Sequence, residues 1–172
     1  MATLPPGLLL LRAAPLLAST SYVTFTVAED IYLRPWGSFR PDLRAPANAV
    51  IPAFMDRWQP PGLAMIFVLY PAGIATAIAN LVSKQHGIPA LGCRSRVAGY
   101  LYAAGAVFGA LHFAFGPWDL AILARIGEGE EEREGDNGGA MADWSRMNVV
   151  RGLCADFPSW VCYFAGFMLA MT

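Results

Sequence analysis

Residues Gln59–Ser83 read QPPGLAMIFVLYPAGIATAIANLVS, twenty-five positions without a charged side chain. A helix needs roughly 20 apolar residues to cross the hydrocarbon core of a bilayer, so this stretch is long enough to span. Val97–Trp118 is a second such run, twenty-two uncharged residues ended by Asp119. Two outer runs of sixteen residues flank the pair. Ala13–Ala28 is extended past Arg12 by Leu8–Leu11, and Phe157–Thr172 is extended backwards through Asn148–Ala155. Together they predict an all-α fold. One domain covers residues 1–172: an integral membrane four-helix bundle with helices at about 8–28, 61–82, 97–116 and 143–171.

Composition agrees. Of the 172 residues, 56% are apolar and 15% are charged, against about 45–50% and about 25% in soluble domains. Twelve Lys and Arg against thirteen Asp and Glu leave no basic surplus, which excludes a nucleic-acid partner. The composition also argues against a soluble enzyme and a disordered chain. A lipid bilayer is the expected partner, and a homo-oligomer is left open. No internal repeat is visible, so a duplicated transporter is not indicated.

Proline and glycine punctuate the spans. Pro60-Pro61-Gly62 opens the second helix, where missing amide hydrogens cost little. Pro71 and Gly73 predict a kink within it. Gly99, Gly105 and Gly109 allow close packing of the third helix, and Gly116-Pro117 is expected to end or bend that helix before Asp119. The first helix could instead be a cleaved signal, but Arg12 and Pro15 interrupt its apolar run and a basic start is missing.

The connections differ in character. Segment 29–58 holds Pro35, Pro41, Pro46 and Pro52 with four Arg and four acidic residues. It reads as a long ordered first loop, a cap over one end of the bundle. Lys84–Arg96 is short and basic, which points that loop and both termini to the cytoplasm. Segment 127–141, with Glu128, Glu130, Glu131, Glu132, Glu134 and Asp136 among glycines, reads as an acidic flexible loop rather than a metal site. Cys93, Cys154 and Cys162 form no CxxC pair, and the last two lie too far apart along one helix for a disulfide.

Ionisable groups at membrane depth are costly and face a bundle interior. His112 is the one ionisable residue within the third helix's run and could act as a base near neutral pH, or be a hydrogen-bonded core histidine. Trp144, Asn148 and Arg151, spaced by four and three, share one helical face. Arg151 could hold an oxyanion and Asn148 orient a ligand oxygen, or the group could pair internally behind an interfacial tryptophan. By topology Trp58, Trp118, Asp119, Trp144, Asn148 and Arg151 converge beneath the first loop. Three tryptophans suit a hydrophobic aromatic small molecule, and equally an interfacial belt.

Three segments carry a family resemblance: Asp56-Arg57-Trp58 followed by Pro60-Pro61-Gly62, the stretch FAFGPWDLAIL at Phe113–Leu123, and Trp144-Ser145-Arg146-Met147-Asn148-Val149-Val150-Arg151. The chain resembles the anthrone oxygenases, small fungal membrane proteins. The resemblance implies oxidation of a polyketide anthrone to a quinone by molecular oxygen, as part of secondary metabolism. It implies no cofactor or metal and an endoplasmic reticulum or related endomembrane location. In that frame His112 or Asp119 is the base, Arg151 the oxyanion partner, Asn148 the orienting group, and Trp144 or Trp118 the stacking wall. The alternative is a non-enzymatic, claudin-like four-helix scaffold or assembly partner. A small terpene cyclase would want more acidic residues inside the spans than Asp119 and Asp156.

Overall fold

The chain builds its interior from a seven-residue rhythm. On α1 (Pro6–Leu33) the buried positions are Arg12, Pro15, Ser19, Tyr22, Thr26, Glu29 and Leu33. On α3 (Ser95–Leu111) and the turn after it they are Ala98, Tyr102, Gly105, Gly109 and His112. Alternating steps of three and four keep one stripe facing inward and suit helices packed nearly antiparallel. A computed structural model, which describes residues 5–83, 95–127 and 136–171, has four helical segments long and apolar enough to cross a membrane. They are Pro6–Gly37, Pro41–Val82, Arg96–Ile126 and Asn137–Met171. Lys84, His86, Cys93, Arg94 and the run Glu128–Glu134 lie outside the described residues.

Segment 29–58 is ordered and packs over one end of the bundle, but it is a helix rather than a loop. Glu29–Leu33 is the end of α1, a 3₁₀ turn spans Arg34–Gly37, and α2 starts at Pro41 and runs unbroken to Val82. At about 1.5 Å per residue these 42 residues extend about twice the thickness of a bilayer core. Pro41 sits in the first turn, where its missing N–H is an orphan in any case. Pro46 and Pro52 lie inside the helix because packing outweighs their lost hydrogen bonds. Ile51 and Met55, with Trp58 one turn on, close an apolar core against Leu33, Ile122, Met141, Trp144 and Met147.

The third span yields one turn earlier than Gly116-Pro117 suggests, and then continues. His112–Phe115 is a 3₁₀ turn, and α4 runs from Gly116 to Gly127. Pro117 has no N–H to give to the carbonyl four residues back and its ring crowds that group. The turn tightens instead, and the Gly116 N–H bonds the Phe113 carbonyl. The fourth span begins at Asn137, ahead of the expected 143. Asp136 caps α5 (Asn137–Arg151) by accepting from the Gly139 N–H at 2.9 Å. A π turn at Gly152–Asp156 joins α5 to α6 (Phe157–Met171).

At the opposite end α3 and α6 interlock. A Cβ on Gly105 would come within 2.7 Å of the Tyr163 ring, and one on Gly166 within 2.7 Å of the Tyr102 ring. Each tyrosine fills the notch left by the other helix's glycine, so both helices approach closely. Buried Arg12 joins this layer by donating to the Ala170 carbonyl at 3.1 Å, near the C-terminus of α6.

Candidate active site

Between the two apolar ends lies a layer of buried charge. On α1, Thr26 and Glu29 follow Tyr22 along the inward stripe. On α5, Trp144, Asn148 and Arg151 share the facing stripe, as their spacing requires. Asp156 is five residues beyond Arg151, a separation that would swing it away in a regular α-helix. The π turn closes over one extra residue and returns Asp156 to the Arg151 side.

Arg151 is 1% exposed and stands among three carboxylates. Its Nη2 donates to Glu29 Oε2 at 2.7 Å and to Asn148 Oδ1 at 2.6 Å. Its Nη1 lies 3.6 Å from Asp119 Oδ2, and its Nε lies 3.7 Å from Asp156 Oδ2. Burying one unpaired guanidinium would be prohibitive, and the carboxylates supply its countercharge. Trp144 Nε1 donates to the other oxygen of Glu29 at 3.0 Å. Arg151 takes the place a cation would occupy among these acids. Among the described residues no group of three His, Cys, Asp or Glu is arranged to hold a metal ion.

Asp156 is saturated with donors. Tyr70 Oη donates to Oδ1 at 2.9 Å and Thr26 Oγ1 donates to Oδ2 at 2.9 Å. His112 Nδ1 lies 3.0 Å from Oδ1. An acceptor so placed orients the imidazole with its Nδ1 proton toward Asp156, so that in the neutral ring Nε2 keeps the lone pair. The Tyr70 ring lies against the imidazole with centroids 3.8 Å apart, and Tyr22 stacks on Tyr70 at 4.1 Å.

A cavity of about 250 Å³ borders this layer. Its polar end carries Glu29, His112, Asp119 and Arg151, and Trp58 and Trp144 wall it edge to face with centroids 6.4 Å apart. Leu63, Phe67, Phe113 and Leu120 also line it and are exposed on the outer apolar surface. The cavity therefore reaches sideways between α2 and α4.

Of the residues singled out from sequence, Trp58, His112, Asp119, Trp144 and Arg151 meet at this cavity. Asn148 is adjacent but committed to protein: its Oδ1 holds Arg151 and its Nδ2 donates to the Thr26 carbonyl at 3.0 Å. It holds the guanidinium and does not line this cavity. Trp118 is 51% exposed and lies outside the cavity. It precedes Asp119 directly on α4, so when Asp119 points inward Trp118 points about 100° away. Sequence reasoning missed Glu29, Thr26 and Tyr70. The signal for the first two was the polar stripe of α1, in which Ser19, Tyr22, Thr26 and Glu29 recur at three-four spacing.

No protein-family profile matches the chain, and no solved structure matches it. Curated fungal proteins do, among them two epoxidases. The chain is 30% identical over 165 residues to epoxidase pydX from an Acremonium species, covering 94% of each chain. It is 30% identical over 175 residues to epoxidase gkaX from Penicillium citrinum, covering 98% of this chain and 99% of that one. Both are named epoxidases, where the sequence resemblance pointed to anthrone oxidation.

Proposed function

Since the chain belongs to the family of the fungal epoxidases pydX and gkaX, we propose that it is a membrane-embedded oxidoreductase that epoxidises a hydrophobic substrate of secondary metabolism. Molecular oxygen is the oxidant, and an endoplasmic reticulum or related membrane is its location. The single observation that carries a site for this chemistry is the cavity that ends on His112, with His112 Nδ1 held by Asp156 at 3.0 Å.

Epoxidation of an isolated alkene by O2 places one oxygen atom on the two carbons and releases the other as water. It consumes two electrons and two protons from a donor. When the substrate is a hydroquinone or enol, the electrons come from the substrate itself and two of its hydrogens leave with the second oxygen as water. The reaction proposed is the second, in which the substrate's own protons move, and His112 Nε2 is the atom at which they move. It takes a substrate proton to raise electron density toward O2 and returns it to the departing oxygen. Trp58 and Trp144 hold the unsaturated skeleton, and the apolar wall keeps water from diverting the oxidised intermediate. Arg151, neutralised by its carboxylates, supplies a fixed dipole to a developing oxyanion.

The aromatic walls also favour a flat substrate, which keeps anthrone oxidation as a second reading: a CH2 group and O2 give a carbonyl and water, with the same base. Microsomes containing the full chain, incubated under isotopically labelled oxygen with a naphthohydroquinone, which supplies its own two electrons, and separately with anthrone, distinguish the two. Labelled epoxide above an empty-vector control supports the first reading and labelled quinone the second. Product at control level with both would overturn the assignment of an oxygenase.

A further inference from the structure

The charged layer does not use all of its own polar atoms. Asp119 turns Oδ2 toward Arg151, while its Oδ1 is buried and has no hydrogen-bond partner among the described residues. Asp119 is at the same time a wall residue of the cavity. A buried carboxylate oxygen left without a donor loses the solvation it had in water, a cost that native interiors avoid by supplying a partner. The cavity residues next to it in sequence, Phe113, Gly116, Leu120 and Leu123, are apolar. None of the donors that line the same cavity on Trp58, Gln59, His112 or Arg151 bonds this oxygen. Gly116 lines the same cavity, and a Cβ there would meet nothing within 4 Å, so the cavity is open on the glycine's side.

A donor carried by a molecule bound in the cavity would satisfy Asp119 Oδ1. The mouth between α2 and α4, formed by Leu63, Phe67, Phe113 and Leu120 on the outer apolar surface, admits molecules dissolved in lipid. We infer that Asp119 is the specificity-determining anchor of the cavity, its Oδ1 accepting a hydrogen bond from a hydroxyl or N–H group on an otherwise hydrophobic molecule drawn from the bilayer. This deepens the reading of the cavity as the substrate site and rests on it. It divides the labour between two neighbouring side chains, with Asp119 fixing the polar end of the substrate and His112 handling protons at the reacting carbons. A site built to receive a donor rejects the analogue that lacks it, because the acceptor is then stranded.

The test is a binding measurement that needs no turnover. The full-length protein in phosphatidylcholine nanodiscs is titrated with 2-naphthol and with 2-methoxynaphthalene, which differ by the loss of one O–H donor, and saturation-transfer NMR reads their affinities. The wild type is expected to prefer 2-naphthol by about tenfold or more, the discrimination a hydrogen bond to a charged acceptor supports. Asp119→Leu is expected to bring the ratio close to one. A ratio near one in the wild type overturns the inference whatever the variant does, and a ratio unchanged in Asp119→Leu overturns it equally. Because selectivity is read without chemistry, failure to detect oxygenation leaves this result standing. Loss of selectivity beside intact oxygenation removes the anchor alone.

Discussion

Arg151 and Asp156 are five residues apart and lie on the same side of one continuous helix, with Arg151 Nε and Asp156 Oδ2 separated by 3.7 Å. The π turn between them accommodates one residue more than a regular helix would hold. Exposed Leu153 is the natural candidate for that extra residue. Removing it leaves Asp156 four positions from Arg151 and restores three-four spacing through Ser159, Tyr163, Gly166 and Ala170. The Leu153 deletion is therefore expected to fold and to keep activity within about tenfold of the parent. Deleting Val161 rotates Tyr163 and Gly166 by about 100° out of the interface and is expected to abolish folding. Size-exclusion profiles and thermal unfolding in detergent check both.

Glu29 joins α1 to α5 by two hydrogen bonds, one from Trp144 and one from Arg151. Glu29→Ala removes the nearest of the guanidinium's three carboxylates and leaves two buried donors without their acceptor, at an expected cost of about 3–5 kcal/mol, whereas Glu29→Gln keeps one acceptor oxygen for Arg151, loses the Trp144 bond, and should cost less. Thermal unfolding in one detergent gives the order. Equal destabilisation by the two variants would contradict the pairing.

His112 and Asp156 divide one task between them. His112→Ala is expected to lower product formation by about 10²–10⁴-fold with the protein still folded. Asp156→Asn leaves one acceptor oxygen for the donors of Tyr70, Thr26 and His112, and with its N–H turned to the imidazole it favours the opposite tautomer and leaves Nε2 without its lone pair. A loss of about 10²-fold is expected. Initial rates of labelled-oxygen incorporation measure both.

The three tryptophans flagged in the sequence separate by position. Trp58→Ala and Trp144→Ala open the cavity wall and are expected to raise the substrate concentration needed for half-maximal rate by tenfold or more. The exposed Trp118→Ala should leave rate and affinity within about twofold. A strong effect at Trp118 alone would place the substrate outside the cavity.

The four spans were legible because a long uncharged run has few other meanings, and the convergence of helix ends followed from topology. What stayed hidden depends on pairing across the bundle. Glu29 ends the first uncharged run and so reads as the edge of a loop, yet it is helix interior because Arg151, 122 positions later, neutralises it. The prolines of 41–58 read as breakers, and only the burial of Ile51 and Met55 against α4 and α5 overrides them. The π turn has no compositional mark. It shows only as a break in spacing between Arg151 and Asp156, which the apolar length of the span conceals.

The interlocked tyrosines and glycines of α3 and α6 have a consequence far from where they sit. Contacts between these antiparallel helices advance in step: Tyr102 with Gly166, Gly105 with Tyr163, Gly109 with Ser159, and His112 with Asp156. The first pair and the last are ten residues apart on each helix, about 15 Å of rod. A slip of one helical turn at the tyrosine end would carry His112 about 5 Å past its carboxylate. The Tyr–Gly notches thus serve as an index pin that sets the length of two levers, and the imidazole at the other end inherits its alignment from them.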